Sequence, residues 1–324
     1  QHGPEWSERC DPEQRWFFLA RALWDANPQL EVAFNMGAGV DAMMQARLPE
    51  ATTVVRLTDV GMGVQMAEYA LHMVTRIARR FADYEQQWRE GAWEDLRIDG
   101  PERWPVGVMG LGALGQRVLQ SLLTLDYPLN GWSRTPRDLA GVQCFHGMDQ
   151  LPAFLAASRI VIVLMPLTPD THHVLNAQTL RQLPQGAHVI NLARGALLDA
   201  DALLDALDDG HLGGAVLDVF EQEPLAADHR LRQHPKVQGT PHISARTRIK
   251  PTVARIAAQI TALQHGAPAD QLDGVVDRAR GYCAQRLSRC RPRDIFGDPP
   301  MALPSTVDII DVGPRDGLQN EKQV

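Results

Sequence analysis

From residue 106 onward, short apolar runs alternate with segments whose apolar positions recur at helical spacing. The runs cover 106–109, 129–132, 160–164, 188–192, 214–218 and 237–240. A short apolar run of this kind fits a strand covered on both faces, and strands alternating with helices build βαβ units around a parallel sheet. Six such strands suit a complete doubly wound domain. A representative helix is expected over 200–207, where Leu203, Leu204 and Leu207 share a face and Gly210 supplies the stop.

Ahead of this block, residues 66–90 contain neither Gly nor Pro and place Tyr69, Met73, Ile77, Phe81 and Tyr84 at helical spacing, so one long helix is expected there. Before it, 30–36 is apolar and runs into Gly37-Ala38-Gly39, a strand entering a tight turn that belongs to a second, smaller α/β domain. Only this strand is expected before the long helix. With Gln1 as the first residue, the small domain is read as N-terminally truncated. Residues 283–300 are rich in Arg and Pro without apolar periodicity and read as linker, followed by a new strand-like run at 307–312. The expected division is a substrate domain from 1–68 with 243–282, a dinucleotide domain over 69–242, and a disordered tail over 283–324.

Composition narrows the function classes. Among 324 residues, 44% are hydrophobic and 22% charged, the balance of a globular chain of about two domains. A net charge of −7 supplies no global positive field for nucleic acid or anionic membrane. The apolar stretch 160–167 is less than half of the roughly 18 residues a bilayer span needs. The opening QHGPEWSERC lacks the basic and apolar regions of a secretory signal, so a cytoplasmic setting is expected. Cys10, Cys144, Cys283 and Cys290 form no CxxC pair, which argues for reduced thiols and against a zinc cage. His172 and His173 in THHVLN have no partner ligand near them in sequence and read as loop residues, so no metal is expected. Met43 and Met44 read as core or interface, and Trp88 and Trp93 as buried, with closure of an active site or a subunit contact as the alternatives.

The chemistry begins at Gly110-Leu111-Gly112-Ala113-Leu114-Gly115, which follows a strand and opens a helix. Glycines there permit a tight turn, admit a pyrophosphate close to the backbone, and let helix and strand pack tightly, while the helix N-terminus faces the phosphates. This is the Rossmann fingerprint in its required context. At the end of the next strand, an enzyme using NAD would place a carboxylate on the ribose 2′-hydroxyl; this chain has Trp132-Ser133-Arg134-Thr135 instead. Arg134 offers a charged fork to a 2′-phosphate, with Ser133 and Thr135 adding hydroxyl donors, so NADPH is favoured over a weaker NADH.

Three residues follow later strand ends. Arg194 can bind an α-carboxylate and steady the charge developing on a keto oxygen. His242 supplies a proton donor of the residue type that titrates near neutrality, and Glu223 can fix its ring. Together they point to hydride transfer to a small 2-keto acid.

VGVMGLGALG, NLARG, LDVFEQEPL and TPH resemble the D-isomer-specific 2-hydroxyacid dehydrogenases. GAGVD at 37–41, GMGVQMAEYAL, WSRT and VDRARGY resemble their glyoxylate/hydroxypyruvate reductase A branch, and the likeness spans about residue 20 to Tyr282. The resemblance implies a Rossmann domain beside a flavodoxin-like substrate domain, in a homodimer that reduces glyoxylate, hydroxypyruvate and similar short 2-keto acids with NADPH. It implies that Arg194 orients the substrate, His242 donates the proton and Glu223 supports it. Gly37, Ala38 and Gly39 would offer backbone N–H groups to the substrate carboxylate, and Asp218 would hold the nicotinamide carboxamide. Ala113, Leu114, Pro166, Thr171, Leu192 and Ala193 join the glycines in the cofactor set. The alternatives are an inactive or non-catalytic NADP-binding fragment and, further off, a bifunctional chain with an acyl-CoA lyase.

That last alternative arises from VDIIDVGPRDGLQNEK, which is similar to the first barrel strand of hydroxymethylglutaryl-CoA lyases, where Arg315 and Asp316 would serve catalysis and metal binding. One strand cannot close an eight-stranded barrel. Met301 is therefore expected to be the start of a neighbouring product joined by readthrough or an assembly error.

Overall fold

The computed structural model describes residues 30–37, 39, 40, 43, 44, 48–278, 282 and 283. Ala38, Cys10, Cys290 and the tail with Arg315 and Asp316 lie outside the described residues. Gly61–Arg246 form one compact unit, and the segments on either side of it form another.

In the smaller unit, β1 (Val32–Asn35) pairs in parallel with β2 (Thr53–Arg56). The apolar pattern predicts only the first of these. β2 contributes a single buried pair, Val54 and Val55, between polar ends, too short a run to stand out in the sequence. Val54 packs with Ala33, Val40, Met43, Leu48 and Val276, and Met44 lies against them. The Arg278 guanidinium donates to the carbonyls of Leu48, Pro49 and Glu50, tying the end of the unit to its middle.

The larger unit opens with α1 (Met62–Ala78) and α2 (Phe81–Glu90), where the sequence pattern predicts one helix. The chain breaks at Arg80, whose φ of 57° is left-handed, and its guanidinium donates to Asp83 one turn on. The physical reason is burial. Met66, Ala70, Met73 and Val74 press α1 into the core, whereas no residue of α2 is buried, so packing does not carry the first axis onward. Trp88 and Trp93, expected to be covered, are 76% and 90% exposed.

Next come β3 (Val106–Met109), α3 (Ala113–Leu122), β4 (Leu129–Ser133), β5 (Gln143–His146), α4 (Leu151–Ala156), β6 (Ile160–Val163), α5 (Ala177–Leu180), β7 (Ala187–Asn191), α6 (Ala200–Asp208), β8 (Leu212–Leu217), α7 (Arg230–Gln233) and β9 (Val237–Gly239). The seven strands form one parallel sheet in the order β5-β4-β3-β6-β7-β8-β9. β5 is the strand that the apolar pattern does not predict. It is one of the two edge strands and has no fully buried residue, and its sequence QCFH carries no apolar run.

Alternating residues of each central strand enter opposite cores. Ile160 and Ile162 face α1 and α3 with Val106, Val108, Ile190 and Val216. Val161 and Val163 face α4 and α6 with Met109, Val189, Ala215 and Leu217. A sheet covered on both sides needs this unbroken apolar run, and each fully buried aliphatic side chain stabilises it by about 1.5–3 kcal/mol. The smaller unit continues after this sheet with α8 (Ile249–Gln264), β10 (Val276–Asp277) and β11 (Tyr282–Cys283), the last two pairing antiparallel. Among the described residues, no helix is long and apolar enough to cross a membrane.

Candidate active site

The parallel register fixes where the chemistry lies. Trp132, Met109, Val163, Asn191, Leu217 and Gly239 form one row across β4, β3, β6, β7, β8 and β9. Each expected residue of the larger unit follows this row within a few positions, at the carboxyl edge of the sheet. β3 and β6 are neighbours, yet the chain leaves β3 toward β4 and later returns to β6, so a crevice opens between their ends, where doubly wound sheets hold ligands.

At the end of β3, Gly110 has φ 107°, and a Cβ there would lie 2.6 Å from the Leu164 carbonyl oxygen. A Cβ on Gly115 would lie 1.9 Å from the Gly110 oxygen, so turn and helix can close only on glycine. Gly112 differs from both: a Cβ there would meet nothing within 4 Å. Its lack of a side chain serves no internal contact and leaves the N-terminus of α3 open. No side chain caps that terminus at Ala113 and Leu114, which suits a pyrophosphate bound on backbone N–H groups.

At the end of β4, Ser133 donates its hydroxyl to the Thr135 carbonyl at 2.8 Å, turning the chain so that Arg134 stands exposed. Arg137, which sequence reasoning overlooked, has a buried Nε with no hydrogen-bond partner. Two guanidinium groups on one loop and no carboxylate at its start fit a phosphorylated ribose better than a bare one. Past β6, the Thr171 hydroxyl donates to the Pro166 carbonyl and accepts from the Thr168 N–H, which shapes this loop from within.

Asn191 closes β7. Its side-chain amide donates to the Arg194 carbonyl at 2.8 Å and its oxygen accepts from the Ala193 N–H at 3.1 Å. An asparagine closing a buried strand was the available signal of this task, because an unpaired amide there would cost free energy. It folds Leu192, Ala193 and Arg194 into a turn, with Arg194 half-buried and its Nη1 donating to the Ala193 carbonyl. The next residue, Gly195, presses on the loop that follows β8: a Cβ would lie 1.9 Å from the Phe220 carbonyl carbon. Only glycine brings the Arg194 turn so close to the segment ending in Glu223.

Glu223 and His242 meet. Glu223 Oε2 lies 2.9 Å from His242 Nδ1, while Oε1 accepts from the Phe220 N–H at 2.9 Å. The Glu223 side chain is 12% exposed and that of His242 25%, so the pair is shielded yet reachable. A carboxylate on Nδ1 fixes the ring and assigns proton exchange to Nε2. His242 itself holds a left-handed backbone, φ 53°, uncommon for a side chain with a Cβ.

Asp218 maintains that conformation. The resemblance gives it the nicotinamide carboxamide; in the structure its side chain is fully buried and also holds the backbone around His242. Its carboxylate accepts from Thr240 Oγ1 at 2.5 Å, the Ile243 N–H at 2.8 Å and the Ser244 N–H at 2.8 Å, so it clasps both sides of His242. Its own carbonyl accepts from the His242 N–H. Thr240 in turn lies 2.6 Å from the Tyr69 hydroxyl on α1; with the Thr240 proton directed to Asp218, Tyr69 is the donor. Burial raises the Tyr69 phenol above its ordinary pKa, with the Asp218 charge adding to this and the Thr240 bond opposing it. Tyr69 and Thr240 lie inside quoted segments, GMGVQMAEYAL and TPH, but nothing in the sequence gave them this role, and Ser244 stood in no motif.

In the smaller unit, the Asn35 amide donates to the carbonyls of Gly37 and Gly39, each at 2.7 Å, which holds that expected substrate-binding turn together. Ala38 lies outside the described residues. His172 and His173, read as a loop without partners, lie beside Glu221 in the structure.

Residues 71–244 match the family described as "D-isomer specific 2-hydroxyacid dehydrogenase, NAD binding domain". A D-isomer specific 2-hydroxyacid dehydrogenase from Xanthobacter autotrophicus Py2, solved with NADPH and MES, is 41% identical over 81% of this chain and 82% of its own, with a TM-score of 0.76. An NADPH-dependent glyoxylate/hydroxypyruvate reductase from Sinorhizobium meliloti, solved with NADP and sulfate, is 31% identical over 86% and 90%, with a TM-score of 0.77. A probable 2-hydroxyacid dehydrogenase from Rhizobium etli CFN 42, solved with NADP, HEPES and L(+)-tartaric acid, is 34% identical over 81% and 83%, with a TM-score of 0.76. With the glycine turn, the Arg194 turn and the Glu223–His242 pair in one doubly wound sheet, the chain belongs to the D-isomer specific 2-hydroxyacid dehydrogenases.

Proposed function

We propose that the chain reduces glyoxylate, hydroxypyruvate and 2-keto acids of similar size to 2-hydroxy acids, with NADPH as the preferred cofactor. The observation that carries this reading is the Glu223–His242 pair, held at 2.9 Å against the loop that packs on the Arg194 turn. The residues at the carboxyl edge of the sheet would hold the reduced nicotinamide cofactor, which would supply a hydride to the keto carbon when bound. Arg194 binds the substrate carboxylate and offsets the negative charge that grows on the keto oxygen. His242 donates its Nε2 proton to that oxygen, and Glu223 favours the charged ring that must carry it. The reading also assigns the backbone N–H groups of Gly37, Ala38 and Gly39 to the substrate carboxylate.

Gly110, Gly112, Ala113, Leu114 and Gly115 receive the pyrophosphate, and Pro166, Thr171, Leu192 and Ala193 line the nicotinamide side. Ser133, Arg134 and Thr135 receive the 2′-phosphate with Arg137. The S. meliloti reductase, solved with NADP, supports both the substrate class and the cofactor. The reading places the chain in the cytoplasm as a homodimer; exposed Phe81, Trp88 and Trp93 on and beside α2 favour a subunit contact.

A steady-state panel of 2-keto acids, each with NADPH and with NADH, tests the proposal. Glyoxylate or hydroxypyruvate with NADPH should give the highest kcat/KM. Absence of turnover with every 2-keto acid would leave a non-catalytic nucleotide-binding protein and refute it.

A further inference from the structure

We infer that His172, His173 and Glu221 form a binding site for a divalent transition-metal ion of the zinc class. One ligand atom from each residue lies within 4.8 Å of the other two. The set is two imidazoles and a carboxylate, a donor combination that zinc binds with three protein ligands and an open fourth position. Harder ions such as magnesium and calcium prefer all-oxygen sets, so imidazole selects for zinc, copper or nickel.

Adjacent side chains in an extended chain point to opposite sides, so neighbouring histidines do not ordinarily converge. Here they do. His173 adopts a left-handed backbone, φ 48°, and the two rings lie with centroids 4.0 Å apart at 32°. A left-handed residue with a Cβ is sparsely populated and persists where surrounding bonds enforce it. Those bonds are present: the His173 N–H donates to the Ala196 carbonyl at 2.8 Å, and the Leu175 N–H donates to the Leu197 carbonyl at 3.0 Å.

The third ligand comes from a different loop, which also packs on the Gly195–Leu197 turn. Glu221 belongs to the loop pressed on Gly195, where a Cβ would lie 2.1 Å from the Glu221 nitrogen. The Gly195–Leu197 turn thus supports both the histidine loop and the glutamate loop. His173 Nε2 already meets Glu221 Oε1 at 2.5 Å. Around a tetrahedral ion with bonds of about 2.0–2.1 Å, ligand atoms sit about 3.3 Å apart. The His173–Glu221 contact must open by roughly 1 Å and His172 must close in, movements within reach of side chains at the surface. His173 is 34% and Glu221 48% exposed at the side chain, so an ion has direct access from solvent.

The experiment is competition of the untagged, metal-free full-length chain against a chromophoric chelator for Zn²⁺, read independently of turnover. The wild type should take up zinc in the micromolar range or tighter. His172→Ala, His173→Ala and Glu221→Gln should each weaken uptake by about tenfold or more. His234→Ala, at a separate histidine–carboxylate contact with Asp208 at the end of α6, should leave it unchanged. Unchanged melting of the three variants without metal checks that each folds. Zinc uptake equal in the wild type and a His172→Ala/His173→Ala/Glu221→Gln triple variant, or no uptake by the wild type, would overturn the assignment. Because uptake is measured without substrate or cofactor, its failure would leave the catalytic proposal untouched.

Discussion

Asp218→Asn is the substitution that separates two tasks for one buried carboxylate. The side chain is fully enclosed and accepts from Thr240 Oγ1, the Ile243 N–H and the Ser244 N–H. Asparagine keeps the shape but replaces one acceptor oxygen with a donor, so a backbone N–H on one side of His242 would face an amide N–H. Hydrogen bonds to a charged group contribute about 1.5–3 kcal/mol each, and an unsatisfied buried donor costs about 1–3 kcal/mol. The expected destabilisation is about 2–4 kcal/mol, a fall of roughly 5–12 °C in Tm for a unit of this size. The catalytic consequence should appear in kcat, because the left-handed His242 backbone loses its clasp. A loss of about tenfold to a hundredfold is expected, from roughly 1.4–2.8 kcal/mol of lost alignment. Calorimetric melting and steady-state kinetics with glyoxylate and NADPH measure both quantities. Wild-type melting and kcat with only the KM for NADPH raised would refute the clasp and leave Asp218 the nicotinamide carboxamide alone.

Two further predictions concern charge. His188 is held neutral, its pKa pushed down to about 4 by burial foremost and by the nearby Arg159 charge, with a bond to the Gly186 backbone opposing; its Nδ1 is buried without a partner. Because the folded pKa lies below the unfolded one, the unfolded chain takes up the proton first as pH falls. The stabilisation is complete above about pH 6.5 and is lost progressively toward pH 4. Between pH 6.5 and 5, denaturant titrations should show the wild type losing up to about 2 kcal/mol more than His188→Gln; identical pH slopes would exclude this residue as the cause. Arg134→Ala should raise the KM for NADPH by about tenfold to a hundredfold, the loss of one charge-assisted contact, while the KM for NADH stays within a factor of about two. Equal changes for both cofactors would place Arg134 away from the 2′-phosphate.

The sheet was legible because its interior strands are buried on both faces and therefore read as short, largely apolar runs. β5 was not, since an edge strand with one exposed and three partly covered residues needs no such run. The same logic explains the helix over 66–90. Its apolar spacing continues through Phe81 and Tyr84, but the core stops at Ala78, and helical spacing alone does not tell a buried stripe from an exposed one. At the site, residues with distinctive chemistry stood out: the glycines, Arg194, Glu223 and His242. Residues that act by holding others did not. Asn191, Thr240 and Tyr69 are ordinary residue types whose roles depend on hydrogen bonds that the sequence does not display, local for Asn191 but spanning 171 positions between Tyr69 and Thr240. Glu221 stands 48 residues from the histidine it meets, so no local spacing connects them.

The central claim is that His242, held by Glu223, protonates a 2-keto acid while the cofactor site is built separately on the strands around it. The most direct measurement is the pre-steady-state rate of NADPH oxidation by glyoxylate in His242→Ala, alongside NADPH binding followed by nicotinamide fluorescence. The account predicts an oxidation rate lower by about a hundredfold to ten-thousandfold, the usual worth of a positioned general acid, with NADPH affinity unchanged within about twofold. Oxidation at the wild-type rate in this variant would contradict it.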